Sequence, residues 1–316
     1  MLLLRPQDMN KYSNMKTALC AIAKMENKYI RDFVEYYKRL GITHIFLFDN
    51  NDINGEHFED VINDYIQEGY VTLVDVRGAP PVFTTKECSQ LQPLQPAIYT
   101  YCYNNLCKNY DWFMAFDIDE FLTFKDNEIT IDEFLSQQKF INTDVIYINW
   151  MCFGDSDKLR DEPGVPIYKR LTKPIKDDNR TWKNGYSTVG YNQTFFDNQN
   201  FKSIVRTNID NVKYYCAHRP EVQNNKLCIK NPSGEKISKN NIYTDSVDFS
   251  CAYLRHYVTK TISEWIENKM QRGYPDMNNE YYTLYPAAFF RHGNEWTIEK
   301  QEIIDKYIYE NYIRKQ

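Results

Sequence analysis

Thr17-Ala-Leu-Cys-Ala-Ile-Ala23, Thr43-His-Ile-Phe-Leu-Phe48 and Tyr70-Val-Thr-Leu-Val-Asp-Val76 are three short apolar runs. Polar residues bound each one, and each is too short for a helix, so each reads as a buried strand. Two stretches of helical spacing lie between them. In 26–40, Ile30, Phe33, Val34, Tyr37 and Leu40 recur every three or four residues, and Gly41 is placed to cap the end. In 56–67, Phe58, Val61, Ile62 and Tyr65 share one side. Strand, helix, strand, helix, strand with short links predicts an α/β fold with a mostly parallel central sheet flanked by helices. Right-handed crossovers place the loops after these strands along one edge, where open α/β sheets bind ligands. Residues 24–28, 49–53 and 77–81 are therefore candidate site loops.

The pattern continues downstream. Residues 78–96 are rich in Pro and Gln and read as irregular, and 97–107 read as helix. Residues 111–116 read as a fourth strand running into Asp117-Ile-Asp119-Glu120-Phe-Leu122. A short helix over 131–138 and a fifth strand over 144–150 follow. The region 155–245 is polar and reads as hairpins and loops, a usual place for substrate selectivity. Helices return from 261. The last, 297–315, carries Ile303, Ile304, Tyr307, Ile308 and Tyr312 at helical spacing. It is expected to pack on the domain, with a peripheral membrane or partner contact as the minority alternative.

Composition narrows the function classes. Of 316 residues, 42% are hydrophobic and 16% aromatic, so the chain has ample material for a core. Lys and Arg number 38 against 43 Asp and Glu, a formal charge of -5. That balance argues against a nucleic-acid partner, which needs a basic field. No run approaches the ~18–20 apolar residues that span a bilayer. The eight cysteines never form CxxC and mostly sit beside apolar residues, which reads as reduced thiols of a cytosolic protein.

The strongest chemical signal is Asp117-Ile118-Asp119. In an extended segment, residues two apart point to the same face, so two carboxylates would converge at the end of an apolar strand. Like charges this close resist joint ionisation without a cation, and a hard divalent ion suits oxygen ligands. Such an ion can hold a diphosphate leaving group. The bare pattern is common, and a second copy occurs at Asp155-Ser-Asp157. Context favours the first, with a solvated turn as its alternative.

Asp49 ends the second strand and can accept from a ribose hydroxyl or a base edge, or it can form an Asx turn. Lys24, Glu26 and Asn27 follow the first strand without a Gly-rich loop, so neither a dinucleotide fingerprint nor a P-loop is present. His256, followed by Lys260, Lys269 and Arg272, and His218 are the histidines that suit a metal-bound diphosphate.

Several segments together resemble a known family. They are Lys24-Met-Glu26-Asn27 with Tyr29 to Tyr36, Leu40 to Ile45, Phe48-Asp49-Asn50, and Trp112 to Leu122. Asn149-Trp150 with Phe153-Gly154, Lys202 to Arg206, His218, His256-Tyr257, Lys260, Trp265, Lys269 and Arg272-Gly273 complete the series. Over about residues 17–275 the chain resembles the family 2-like and family 92-like glycosyltransferases, which adopt the glycosyltransferase type A fold.

The resemblance implies an inverting hexosyltransferase that uses a UDP-sugar and Mn²⁺ or Mg²⁺. It places Asp117 near ribose and metal, Asp119 on the metal, and His256 as a further metal or diphosphate contact. Asp49 would touch the nucleoside, Lys260 the diphosphate, and Gln95 the donor site, joined by Lys24, Glu26 and Asn27. Asp155, Asp157 and His218 are the candidate catalytic bases. The expected organisation is a catalytic domain over 15–260, with a nucleotide-sugar half (15–125) and a polar acceptor half (140–260). C-terminal helices over 261–316 pack on it.

The expected donor is UDP-galactose or a related hexose. The acceptor is a saccharide or lipid-linked saccharide of a surface polysaccharide. The eukaryotic relatives carry a membrane anchor and this sequence shows none, so a cytoplasmic enzyme at the inner membrane face is expected. The alternatives are a noncatalytic sugar-nucleotide-binding protein and a nucleotidyltransferase. The second usually has a Gly-rich basic loop where Ala23-Lys24-Met25-Glu26 stands.

Overall fold

The computed structural model describes residues 15–83, 92–175, 197–210, 212–222, 227–237, 244, 246–272, 289 and 294–314. The chain divides into two compact units that interleave in sequence. The first comprises Met1–Asn149 and Phe201–Leu254, the second Trp150–Asn200 and Arg255–Gln316.

The first unit carries the strands, except that residues 150–152 and 255–256, the ends of two of them, belong to the second. The strands are β1 (Thr17–Ala23), β2 (His44–Asp49), β3 (Val71–Asp75), β4 (Val82–Phe83), β5 (Gln92–Pro93), β6 (Trp112–Ala115) and β7 (Glu120–Phe124). They continue with β8 (Val145–Cys152), β9 (Phe201–Arg206), β10 (Val212–Tyr215), β11 (Pro220–Val222), β12 (Ile229–Lys230) and β13 (Ala252–His256). The main sheet runs β3-β2-β1-β6-β9-β8-β13-β7, with β12 beside β8. The pairs β2–β3, β1–β2 and β1–β6 are parallel, as the alternating pattern predicts. From β6 onward the sheet is mixed, because β9 runs antiparallel to both β6 and β8. The pairs β4–β5 and β10–β11 form small antiparallel ribbons.

Helices α1 (Asn27–Leu40), α2 (Glu59–Gln67), α3 (Leu94–Tyr101) and α4 (Ile131–Leu135) belong to this unit. In α1, Tyr29, Ile30, Phe33, Val34 and Tyr37 are buried, each worth about 1.5–3 kcal/mol of removed apolar surface. Gly41 ends the helix at φ 95°, a left-handed conformation that costs glycine little. The Tyr37 hydroxyl donates to Glu120 O at 2.9 Å, tying α1 to the start of β7. Helix α3 passes into a π-helical turn over Cys102–Leu106.

Two local expectations fail here. The apolar run after Asp117 does not extend the fourth strand. The chain turns, with Glu120 N bonded to Asp117 O at 3.0 Å, and leaves as the separate strand β7 at the opposite end of the sheet. The region 155–245 also holds more than hairpins and loops, since β9 lies in the middle of the main sheet. Buried Lys202 and Ser203 interrupt its apolar run and disguise a core strand.

The second unit contains α5 (Ile167–Arg170), α6 (Ile262–Glu264), α7 (Met270–Arg272) and α8 (Ile298–Ile308), with a π-helical turn over Trp265–Lys269. Ile262, Trp265, Ile266, Met270, Phe289 and Ile304 form its apolar cluster. The last helix does pack on this unit through Ile304, although Ile298 stays exposed. Among the described residues, no helix is long and apolar enough to cross a membrane.

Candidate active site

The parallel strands β1, β2, β3 and β6 end on one edge, and their loops are stapled together. Lys24 Nζ donates to Asp52 Oδ1 at 2.7 Å, and Met25 N, at a left-handed φ of 56°, donates to Asn51 Oδ1 at 2.7 Å. Asn27 N donates to Glu56 Oε2 at 2.8 Å. Glu26 is buried, and its carbonyl accepts from Tyr29 N and Ile30 N at the start of α1. Lys24, Glu26 and Asn27 thus shape the loop after β1 and bind it to the loop after β2.

Asp49 is fully buried at the end of β2. Its Oδ1 accepts from Asn51 N at 2.9 Å and Asn51 Nδ2 at 2.7 Å, and Arg77 Nε lies 3.4 Å from Oδ2. Burial raises its pKa, opposed by Asn51 and Arg77. This is the Asx turn weighed above, braced by Arg77. The guanidinium also reaches Glu59 at 2.9 Å and contacts His57. Arg77 opens the candidate site loop 77–81, although the sequence assigned it no role of its own.

The carboxylates after β6 gather, but not by the route expected. Asp117-Ile118-Asp119 is a turn rather than an extended segment. Glu120 joins the group, because the turn folds its Oε2 back to accept from Asp117 N at 2.9 Å. Gln95 Nε2 donates to Asp117 Oδ1 at 2.8 Å, and Tyr99 OH donates to the same oxygen at 3.0 Å. Lys202 Nζ, from β9, donates to Asp117 Oδ2 at 3.0 Å and lies 3.5 Å from Glu120 Oε2. Asp119 is buried and adds to the field felt by Lys202 and Glu120.

The electrostatics follow from burial around one cation. Burial raises the Glu120 pKa well above the carboxylate range, partly offset by Lys202 and reinforced by Asp117. Burial alone would discharge Lys202, yet Asp117 and Glu120 outweigh it and hold the ammonium above its ordinary pKa. Burial, then the charge of Asp117, keeps the Tyr99 phenol protonated as a donor. The Asp117 side chain remains 32% exposed while Lys202 beneath it is 1% exposed, so the acid faces outward and the cation inward. Lys202, Glu120 and Tyr99 had no assigned role from sequence. The signal available for Lys202 was a lone lysine inside an apolar strand.

His218 also belongs to the first unit. Its Nδ1 lies 2.7 Å from Phe201 O and donates to it, which puts the lone pair on Nε2. Burial, then Lys202, lowers its pKa to about 4, so the ring is neutral at neutral pH.

The second unit holds the remaining candidates. His256 ends β13, is buried, and lies 4.2 Å from the Trp150 ring centroid to centroid. Its carbonyl accepts from Phe153 N at 2.9 Å. Lys260 is buried at a left-handed φ of 58°, one residue before the Thr261–Glu264 capping box that starts α6. Arg170 grips Glu264 with both terminal nitrogens, NH1 to Oε2 at 2.9 Å, which anchors that box.

Asp155 is buried and ion-paired with Lys300, and its N–H donates to Asn294 Oδ1 at 2.8 Å. Gly154 permits that approach, since a Cβ there would stand 2.7 Å from Asn294 Oδ1. Asp157 is exposed, at φ 62°, and paired with Lys173. Both residues of this second acidic pair are engaged in holding their loop.

Among the described residues, no group of three or more His, Cys, Asp or Glu is arranged as a metal cage. A divalent ion that arrives with a nucleotide needs only one or two protein carboxylates, because the phosphates supply other oxygens. Asp117, Asp119 and Glu120 fit that mode. Asp117 and Glu120 share one ammonium, and Glu120 Oε1 is buried with no hydrogen-bond partner.

Comparison with known proteins supplies the class. The glycosyltransferase family 92 model matches residues 18–292, so the chain is a glycosyltransferase and belongs to that family. No curated protein matches it. Among solved structures, Staphylococcus aureus TarS residues 1–349 is 12% identical with a TM-score of 0.38, covering 96% of this chain and 74% of that one. A second S. aureus TarS structure is 10% identical with a TM-score of 0.37, covering 95% and 50%.

Proposed function

We propose that this glycosyltransferase inverts the anomeric centre of a UDP-sugar, UDP-galactose or a related hexose, and depends on Mn²⁺ or Mg²⁺. The acceptor is a saccharide or lipid-linked saccharide in surface polysaccharide assembly at the cytoplasmic membrane face. The single observation that carries the reading is the acidic turn after β6. Asp117 and Glu120 pair there with one buried lysine, beside the buried Asp119, where the parallel strands β1, β2, β3 and β6 end.

In this reading Asp119, with Asp117 beside it, holds the divalent ion. The ion would offset charge developing on the leaving diphosphate. Gln95 and Tyr99 keep Asp117 in one orientation for the ribose end of the donor. Lys24, Glu26, Asn27 and Asp49 shape the nucleoside loops. His218 is the preferred base for the acceptor hydroxyl. Its tautomer is fixed with the lone pair on Nε2 and its ring is neutral, whereas Asp155 is ion-paired with Lys300 and Asp157 with Lys173.

The test is UDP release from a panel of UDP-sugars, with Mn²⁺ and with chelator, across saccharide acceptors. The expected result is acceptor-stimulated, chelator-sensitive release with one donor preferred. Equal release in chelator would remove the metal, and pyrophosphate release would place the reaction in another class.

A further inference from the structure

Lys202 projects from β9, a strand in the middle of the sheet, and its side chain is 1% exposed. A buried ammonium is costly unless acids compensate it. Here the compensation comes from Asp117 Oδ2 at 3.0 Å and Glu120 Oε2 at 3.5 Å, with the Tyr99 ring centroid 5.9 Å away. Asp117 is held on both oxygens: by Lys202 on Oδ2, and by Gln95 and Tyr99 on Oδ1. The chain's own groups thus hold Asp117 in one rotamer. The same ammonium is a like charge for any cation that binds these acids.

We propose that Lys202 is a positioning residue of the donor site, a built-in cation that fixes Asp117 before ligand arrives and lowers the affinity of the acidic turn for a divalent ion. This rests on the reading of that turn as a metal–nucleotide site. The physical content is a competition. Lys202 supplies positive charge permanently and from below, so the turn keeps its shape without metal. The divalent ion then binds against a residual repulsion and is helped by the phosphates of the donor. The site would thereby favour the metal–nucleotide complex over the bare metal.

The inference predicts two effects of opposite sign on removing the ammonium. Lys202→Met should bind Mn²⁺ alone roughly five- to tenfold more tightly, because a like charge has left. Its KM for the donor should rise about tenfold, because Asp117 is no longer held on Oδ2, with a smaller change in kcat. A lysine that served stability alone would not separate these readouts, since both affinities would hold or weaken together.

The experiment is calorimetric titration of Mn²⁺, alongside donor kinetics, into wild type, Lys202→Met and the double variant Lys202→Met/Glu120→Gln. The double variant removes the acid left unbalanced, and it is read in place of the single if the single does not fold. Tighter Mn²⁺ with a higher donor KM supports the proposal. Unchanged or weaker Mn²⁺ binding in a folded variant overturns it while leaving the metal site intact. A wild-type chain that binds no Mn²⁺ with UDP present overturns the metal reading, and this inference with it.

Discussion

Asp117-Ile-Asp119 and Asp155-Ser-Asp157 share one pattern in two different settings. The first follows a buried strand, and Asp117 shares a single ammonium with Glu120. The second has two residues of left-handed φ, Ser156 and Asp157, and a separate lysine for each acid. In the first, one buried lysine serves two acids; in the second, each acid has its own. A three-residue pattern fixes the carboxyl groups but not their counter-charges. Those come from residues far away in sequence, Lys202 for one pair and Lys300 and Lys173 for the other.

The comparison can be broken in four ways, taken from the largest effect downward. Asp119→Ala should lower metal-dependent transfer by about 10³-fold or more with the fold retained, as when a charge-stabilising group is lost. Kinetics on the folded variant check this, and full turnover would return the first pair to a structural role. Asp155→Ala should instead lower stability by about 3–5 kcal/mol, since it strands the buried Lys300. Denaturant unfolding reads that loss. Large loss of kcat at wild-type stability would make Asp155 the base.

His218 gives the third. Its pKa falls from 6.5 in the unfolded chain to about 4 when folded. Between those values the unfolded chain binds the extra proton, so stability falls as pH drops from about 6.5 to about 4, by roughly 3 kcal/mol. Above pH 6.5 the cost is absent. His218→Gln should flatten that part of the stability–pH curve relative to wild type. An unchanged slope would show that the ring takes up its proton as readily folded as unfolded. The smallest effect belongs to Asp157→Asn, which removes an exposed ion pair with Lys173 and should shift stability by less than about 0.5 kcal/mol. A larger loss in unfolding experiments would mean that this loop is more than a surface turn.

The parallel half of the fold was legible because local rules agree there. Apolar runs of strand length alternate with helical spacing, and β1 spans Thr17–Ala23 as read. The mixed half was not. Lys202 and Ser203 interrupt the apolar run of β9, and only a buried acidic partner makes such a lysine tolerable in a core strand. The site was legible to the same extent. Asp117 and Asp119 carry a recognisable pattern, and Gln95 donates to Asp117. Glu120, Tyr99, Arg77 and Lys202 received no role of their own, because each acts through a partner that only the folded chain brings near. The geometry of the pair itself was misjudged. A turn, not an extended strand end, gathers the acids, since Glu120 N bonds Asp117 O.

The most direct test is titration of UDP into the protein with Mn²⁺ and again with the ion chelated, in wild type and in folded Asp119→Ala. The account predicts UDP binding to wild type with Mn²⁺ present, with loss of that binding in chelator and in the variant. UDP binding that ignores both the chelator and the substitution would contradict it.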